Sequence, residues 1–166
     1  VTDWDLQEED VEGVFGISAG GQVSISSAKD TASWQALPTF LHSGPLLLLD
    51  GVRQPLDSKN WNHVRNPRTC VCTLADNTVM LVTVDGRYPT SSGMTLPELQ
   101  LFLIAQGCKS AVNLDGGGST TMYLQSYDQV YANGVVNEPR DKPPPGVGGY
   151  LEQTTLRSIS NAIVVM

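Results

Sequence analysis

The sequence predicts an α+β domain: a strand-rich mixed sheet carrying one principal helix. Three observations point there. Val79-Met80-Leu81-Val82-Thr83-Val84 is an unbroken apolar run of strand length, the pattern of a fully buried strand. Residues 95–107 then carry a set of helix signals, with Thr95 and Glu98 at capping-box spacing, Pro97 in the first turn and Gly107 as the stop. Ser110-Ala111-Val112-Asn113-Leu114 has the small and β-branched character of a short interior strand. Sixteen glycines and ten prolines in 166 residues imply many turns, while 40% hydrophobic content supplies one sizeable core.

The remaining elements follow in chain order. Residues 14–18 and 22–26 read as a hairpin about Ala19-Gly20-Gly21. Residues 31–41 place Trp34, Leu37 and Leu41 at helical spacing, but Pro38 restricts this to a short or broken helix. Four leucines, 46–49, predict a buried strand that turns at Asp50-Gly51 into Val52-Arg53-Gln54. Residues 56–67 are polar and aromatic, with Trp61 and His63, and read as a surface loop. Residues 68–74 pair as a hairpin with the Val79 run through Ala75-Asp76-Asn77-Thr78. On the principal helix, Leu99, Phe102, Leu103 and Gln106 share the face expected to pack on the sheet. Thr120-Thr121-Met122-Tyr123-Leu124 reads as the next strand, and residues 130–136 as a hairpin at Asn133-Gly134. Residues 137–153, rich in proline and glycine, predict a long mobile loop suited to a lid, and residues 158–166 a strand that closes the sheet. With no internal repeat or domain boundary, residues 1–166 are expected to form a single domain.

A formal charge of −7 argues against nucleic acid and anionic membrane as partners, since both need a basic surface. Any anionic substrate must therefore be gathered by local arginines and backbone N–H groups. No apolar run approaches the ~20 residues needed to span a bilayer, and the sequence shows no secretory signal pattern. Three cysteines do not make a disulfide framework. Cys70 and Cys72 alternate with Val71 on one strand face and Cys108 follows the helix stop, so they read as buried small hydrophobes. Without a Cys or His pair at zinc spacing, no metal is assigned to them. His42 and His63 stand alone and are read as loop or structural residues.

Two runs carry candidate chemistry. Asn113-Leu114-Asp115-Gly116-Gly117-Gly118-Ser119-Thr120 holds a carboxylate at a strand end beside three glycines. Such a tract is entropically costly and is kept where backbone must turn sharply or let another group come close. It reads either as an anion- or substrate-gripping loop, or as a tight turn whose aspartate caps its own backbone. The Val79 run ends likewise in Asp85-Gly86-Arg87, either a second functional carboxylate or a turn with a surface ion pair. If the two strands run in the same direction, both aspartates lie at one edge of the sheet, the usual place for a site.

Val84-Asp85-Gly86-Arg87, Ser92-Gly93-Met94-Thr95-Leu96-x-Glu98-Leu99 and Asn113-Leu114-Asp115-Gly116-Gly117-Gly118-Ser119-Thr120 resemble motifs of the phosphodiester glycosidase family. Its bacterial members are often labelled exopolysaccharide-related. Similarity extends to Phe15-Gly16-Ile17 with Gly20-Gly21, to the stretch from Ser43-Gly44-Pro45-Leu46 to Asp50-Gly51, to Arg68-Thr69, and to Arg157. The family's usual Asn- and Gly-rich aromatic opening is absent upstream of Phe15, which is expected either of a sequence trimmed at that end or of a shortened family member.

The resemblance implies hydrolysis of a sugar–phosphate diester at the anomeric carbon, with N-acetylglucosamine-1-phosphodiester-like substrates, in a secreted or cell-surface protein. Glycoside cleavage ordinarily uses two carboxyl groups. A phosphate monoester, with a second pKa of about 6, leaves as a stable anion and needs positive charge more than a proton. Asp115 is accordingly assigned as first choice for nucleophile or base and Asp85 as second. Arg68, Arg87, Arg157, Asn113, Gly116, Gly117, Gly118, Ser119 and Thr120 are assigned to substrate binding. No cofactor is expected; a calcium-like cation on Asp85, Asp115 and Asn113 is a disfavoured alternative. The competing function is a non-catalytic module of a cell-surface or phage structural protein that binds glycan or phosphate-bearing polymer.

Overall fold

The computed structural model describes residues 11–58, 60–125, 134–141, 151–152, 156–159 and 162–165. Its framework is two sheets and one helix in layers. β1 (Gly13–Ile17) pairs antiparallel with β2 (Val23–Ser27) and with β3 (Thr39–Ser43), giving a sheet ordered β2-β1-β3. Between β2 and β3 the expected short helix is a single turn, α1 (Thr31–Trp34), and the chain is extended again from Thr39, directly after Pro38.

β4 (Leu46–Leu49), β5 (Val52–Arg53), β6 (Arg68–Leu74), β7 (Val79–Val84) and β8 (Cys108–Asn113) form the second sheet, ordered β5-β4-β8-β6-β7. Every neighbouring pair in it is antiparallel. β7 and β8 flank β6 and are both antiparallel to it, so they run in the same direction one strand apart. Their carboxyl ends, followed by Asp85 and Asp115, therefore lie at the same edge of the sheet. The Val79 run is the outer strand and is half-buried along its whole length, where a fully buried strand is expected from its apolar content.

Alternation on β6 assigns the two faces. Cys70 and Cys72 pack with Leu47, Ala111 and the principal helix α3 (Leu96–Ala105). Val71, between them, packs with Val112, Leu46, Phe15 and Ile25, which join the two sheets. The α3 capping box is formed, with the Thr95 hydroxyl accepting from the Glu98 N–H and the Glu98 carboxylate accepting from the Thr95 N–H. Its buried face is Leu96, Leu99, Gln100 and Leu103, rotated from the expected one by the inclusion of Gln100 in place of Gln106. Gln100 is buried because it has work for both ends of its amide. Nε2 donates to the Leu47 and Gln54 carbonyls, while Oε1 accepts from Arg53.

Four further expectations differ from the structure. Cys72 and Cys108 form a disulfide between adjacent strands β6 and β8, leaving Cys70 buried and free. The sequence reading treated all three as small hydrophobes because the two partners stand 36 residues apart with no local cue. Residues 56–67 are not simply a surface loop: they include the one-turn α2 (Asn60–His63) and the buried Asp57 and Asn62. Thr120-Thr121-Met122-Tyr123-Leu124 is not a strand; a 3₁₀ turn (Gly117–Ser119) leads into an irregular segment that meets Val135 only through a bridge at Tyr123. Residues 156–159 and 162–165 are also irregular, with Val164 and Val165 largely exposed, so their apolar pattern builds no closing strand. The expected hairpin turn at Asn133 lies outside the described residues. Of the expected lid, β9 (Arg140–Asp141) and β10 (Leu151–Glu152) form a two-stranded ribbon, and residues 142–150 also lie outside.

Candidate active site

The cleft lies where β6, β7 and β8 end or begin at one edge of the five-stranded sheet. Its lining is Ser43, Gly44, Trp61, Asn66, Arg68, Arg87, Asn113, Leu114, Asp115, Gly116 and Gly117, around a volume of about 440 Å³. Of the residues singled out in the sequence, Asp115, Arg68, Arg87, Asn113, Gly116 and Gly117 come together there. Gly118, Ser119, Thr120, Asp85 and Arg157 are not among its lining residues.

Crowded backbone builds this edge. Asn66-Pro67, just before β6, is enclosed by glycines from three separate segments. A Cβ on Gly86 would stand 2.8 Å from the Pro67 nitrogen, on Gly93 2.3 Å from the Asn66 carbonyl oxygen, and on Gly116 2.9 Å from the Pro67 oxygen. Gly117 N–H donates to the Pro67 carbonyl (2.9 Å) and Leu114 N–H to the Thr69 carbonyl (2.8 Å), stitching the Asp115 loop onto the start of β6. The glycine tract is thus used by protein against protein. Gly116 N–H donates to Asp115 Oδ1 (2.8 Å), and the Ser119 and Thr120 N–H groups to the Gly116 and Gly117 carbonyls (both 3.2 Å). These N–H groups are committed, so the expectation that they grip an anion gives way to the self-capped turn. Thr120 is fully buried on the Thr69 hydroxyl, behind the cleft wall.

Asp115 itself is exposed, with Oδ1 held by that local bond. It is the one carboxylate among the described lining residues. Asp85 has another job. Its Oδ1 accepts from the Asn137 side-chain amide (3.2 Å) and the Glu138 N–H (2.9 Å), which ties residues 137–138 to the end of β7. Arg157 is exposed and pairs with Asp141 at 3.5 Å.

The two cleft arginines are positioned differently. Arg68 is 5% exposed; Nε donates to the Met94 carbonyl (2.9 Å), and Nη2 to those of Trp61 (2.8 Å) and Val64 (2.7 Å). Nη1 makes none of these bonds. Arg87 occupies the left-handed region (φ 61°), which re-aims its side chain back across Gly117; Nη1 donates to the Arg140 carbonyl (2.9 Å) and Nη2 to Asn66 Oδ1 (3.2 Å). Burial, and secondarily the neighbouring Arg87 charge, pull the Arg68 guanidinium down to about 10. Two guanidinium groups held near each other make an anion-suited wall.

Asn113 is buried, its amide nitrogen donating to the Gly44 and Leu114 carbonyls (both 2.9 Å). Sequence reasoning missed Trp61, Asn66, Ser43 and Gly44. The signals available were an aromatic residue within an otherwise polar loop and, for Ser43 and Gly44, their place in a stretch that resembles the family. Among the described residues no group of three or more His, Cys, Asp or Glu is gathered for a metal ion.

Fold and cleft together define an α+β domain with a cleft at the end of its larger sheet lined, among the described residues, by two arginines and one carboxylate. The chain belongs to the phosphodiester glycosidase family, whose model matches residues 2–166. Among solved structures it is similar to the catalytic domain of zebrafish N-acetylglucosamine-1-phosphodiester α-N-acetylglucosaminidase, auto-inhibited by its pro-peptide. That match has a TM-score of 0.59 and 25% identity over 78% of this chain and 45% of the other. A hypothetical protein from Synechocystis shares the fold with a TM-score of 0.54 and 18% identity, over 78% and 31% of the two chains. A stretch of 58 residues is 40% identical to the SPbeta prophage-derived uncharacterized protein YomE of Bacillus subtilis (strain 168), covering 35% of this chain and 9% of that one. The chain thus spans less than half the length of each of these relatives.

Proposed function

We propose that this chain hydrolyses sugar–phosphate diesters at the anomeric carbon, with Asp115 acting there and Arg68 and Arg87 receiving the phosphate. The observation that carries this reading is the composition of the cleft among the described residues: two arginines, one carboxylate. A simple glycoside needs a second carboxyl group to protonate its leaving oxygen. A phosphate monoester, with a second pKa of about 6, departs as an anion without that proton. Asp115 then has one task, as nucleophile or as the base that activates water. The bond between the anomeric carbon and the phosphate oxygen breaks, its electrons leave on phosphate, and water ends as the new anomeric hydroxyl.

The zebrafish relative's N-acetylglucosamine-1-phosphodiester is the first substrate to try. A secreted or cell-surface location is supported by the Cys72–Cys108 disulfide, which persists in oxidising compartments. No described helix is long and apolar enough to cross a membrane.

The test compares an N-acetylglucosamine-1-phosphodiester with an alkyl N-acetylglucosaminide. Turnover should favour the phosphodiester. Asp115→Asn should nearly abolish it without altering the melting transition, and Arg87→Ala should lower kcat roughly 10²–10³-fold, the loss typical of a charge contact made in the transition state. A non-catalytic glycan-binding module shows no turnover of either compound, and that result overturns the hydrolase reading.

A further inference from the structure

Trp61 sits in the cleft with nothing in the hydrogen-bonding scheme to explain its exposure. A tryptophan that is 43% exposed and lines a cationic pocket is an unusual placement, because large aromatic groups are normally drawn into the core. It is also held in place. Its carbonyl accepts from Arg68 Nη2 at 2.8 Å. The next residue, Asn62, is fully buried and donates to Asp57 Oδ1 at 2.5 Å, and His63 Nε2 contacts the Asp57 carbonyl at 3.0 Å. One turn of helix, held by Asn62 and by Arg68, thus places Trp61 in the cleft lining.

We infer that Trp61 is the sugar-recognising residue of this cleft, its indole stacking against the apolar face of a pyranose whose 1-phosphate lies on Arg68 and Arg87. The inference rests on the proposed hydrolase reading for the direction of the substrate, while sugar binding by Trp61 can be read without turnover. A pyranose ring presents polarised C–H groups on one face, and these complement the negative face of an aromatic ring. The arginine wall offers no such surface. The Trp61 carbonyl and the Arg68 guanidinium share a hydrogen bond, so the two halves of the cleft adjoin as the two halves of a sugar phosphate do. Rigid mounting lowers the ordering cost of binding, since the indole does not have to be immobilised by the ligand.

Two measurements test this on the full chain. The first is indole emission during titration with methyl N-acetyl-α-glucosaminide, which carries the sugar but no phosphate. A sugar-dependent change should appear in the native chain and vanish in Trp61→Phe; a change that persists comes from Trp4 or Trp34 and overturns the inference. The second is kinetic. Trp61→Ala should raise KM for a sugar-1-phosphodiester roughly tenfold with kcat changed far less, Trp61→Phe should recover most of the loss, and inhibition by inorganic phosphate should stay within about twofold of the native value. Unchanged KM, or phosphate inhibition that weakens in parallel, overturns the inference by showing that Trp61 acts through Arg68 or not at all. If the native chain turns over no phosphodiester but loses its emission change in Trp61→Phe, the sugar site stands and the hydrolase reading falls.

Discussion

Arg68 carries its charge where water screens it poorly and where a second guanidinium adds to the field. Its lowered pKa, about 10, means that the folded protein holds this proton less tightly than the unfolded chain does. The sign follows from linkage. Above about 10, and up to the higher pH at which an unfolded arginine titrates, the unfolded chain binds more protons, so this residue's unfavourable contribution is present below about 10 and is relieved as pH rises through that window. Ligand binding runs the other way, because an anion needs the charged form. Affinity for inorganic phosphate should therefore be level from pH 8 to 9 and fall as pH rises through about 10. Arg87→Gln should weaken affinity at pH 8 and move that fall to higher pH, since one of the two causes of the shift is gone. Calorimetric titration across this range checks both; an affinity constant to pH 11 means that the Arg68 guanidinium stays charged throughout, and unchanged affinity at pH 8 in Arg87→Gln removes Arg87 from the anion site. At this scale the sequence motifs contain Asp115, Arg68 and Arg87, which the fold brings to one cleft. Asp85 and Arg157, also expected at the site, are not among the lining residues. A carboxylate after a strand has the same appearance whether it faces a cleft or, like Asp85, receives N–H bonds from residues 52 and 53 positions further along.

Between residue and fold stand the turns that bring Asn66-Pro67, the Arg87 turn and the Asp115 loop together. Their glycines are required for two distinct reasons. Gly116 has an ordinary extended φ of −125°, so only the Pro67 oxygen excludes a side chain there. Gly117 has φ 62° and also lies under Arg87, whose Nη2 would be 2.9 Å from an added Cβ. Gly117→Ala should therefore cost roughly 1–2 kcal/mol of stability for the left-handed backbone. It should lower kcat/KM on a phosphodiester by considerably more than that, because the methyl group displaces a phosphate-binding arginine. Denaturant unfolding and kinetics on the same preparation separate the two, and a stable, fully active variant removes Arg87 from the site. Elements with strong local codes were legible: the capped helix, the β6–β7 hairpin, and the Asp50-Gly51 turn with both residues at positive φ. Less was readable where tertiary contacts decide. Thr120-Thr121-Met122-Tyr123-Leu124 has strand composition, but Thr120 is taken by Thr69 and Met122 N–H by the Asn137 side chain, so no ladder forms.

For the whole molecule, the decisive unread feature was a covalent one. The Cys72–Cys108 disulfide joins β6 to β8 across the face that carries α3, and it encloses β7, α3 and the Asp85-Gly86-Arg87 turn within one loop. Closing a loop over a 36-residue separation restricts the unfolded chain by roughly 3–4 kcal/mol on the chain-entropy account. That is a large part of the stability expected for a domain of this size. Cys70, two residues away on the same face of the strand, stays a free thiol: it is 1% exposed, and burial pushes it up to about 12, so almost none of it is the reactive thiolate at neutral pH. The native protein should accordingly show no thiol reactive toward Ellman's reagent, and one per chain once it is unfolded without reductant. Cys70→Ala should abolish that single reactive thiol while leaving the disulfide and the turnover intact. Cys72→Ala with Cys108→Ala should lower the denaturant midpoint by an amount equivalent to roughly 3–4 kcal/mol, with the loss confined to stability if the cleft geometry is set by the glycine-packed Asn66-Pro67 junction. Two or more reactive thiols in the unfolded, unreduced chain mean that the bond between the strands is not formed. A double variant that folds normally but is inactive means that the disulfide, in addition to the glycines, holds Arg68 and Arg87 at their working positions.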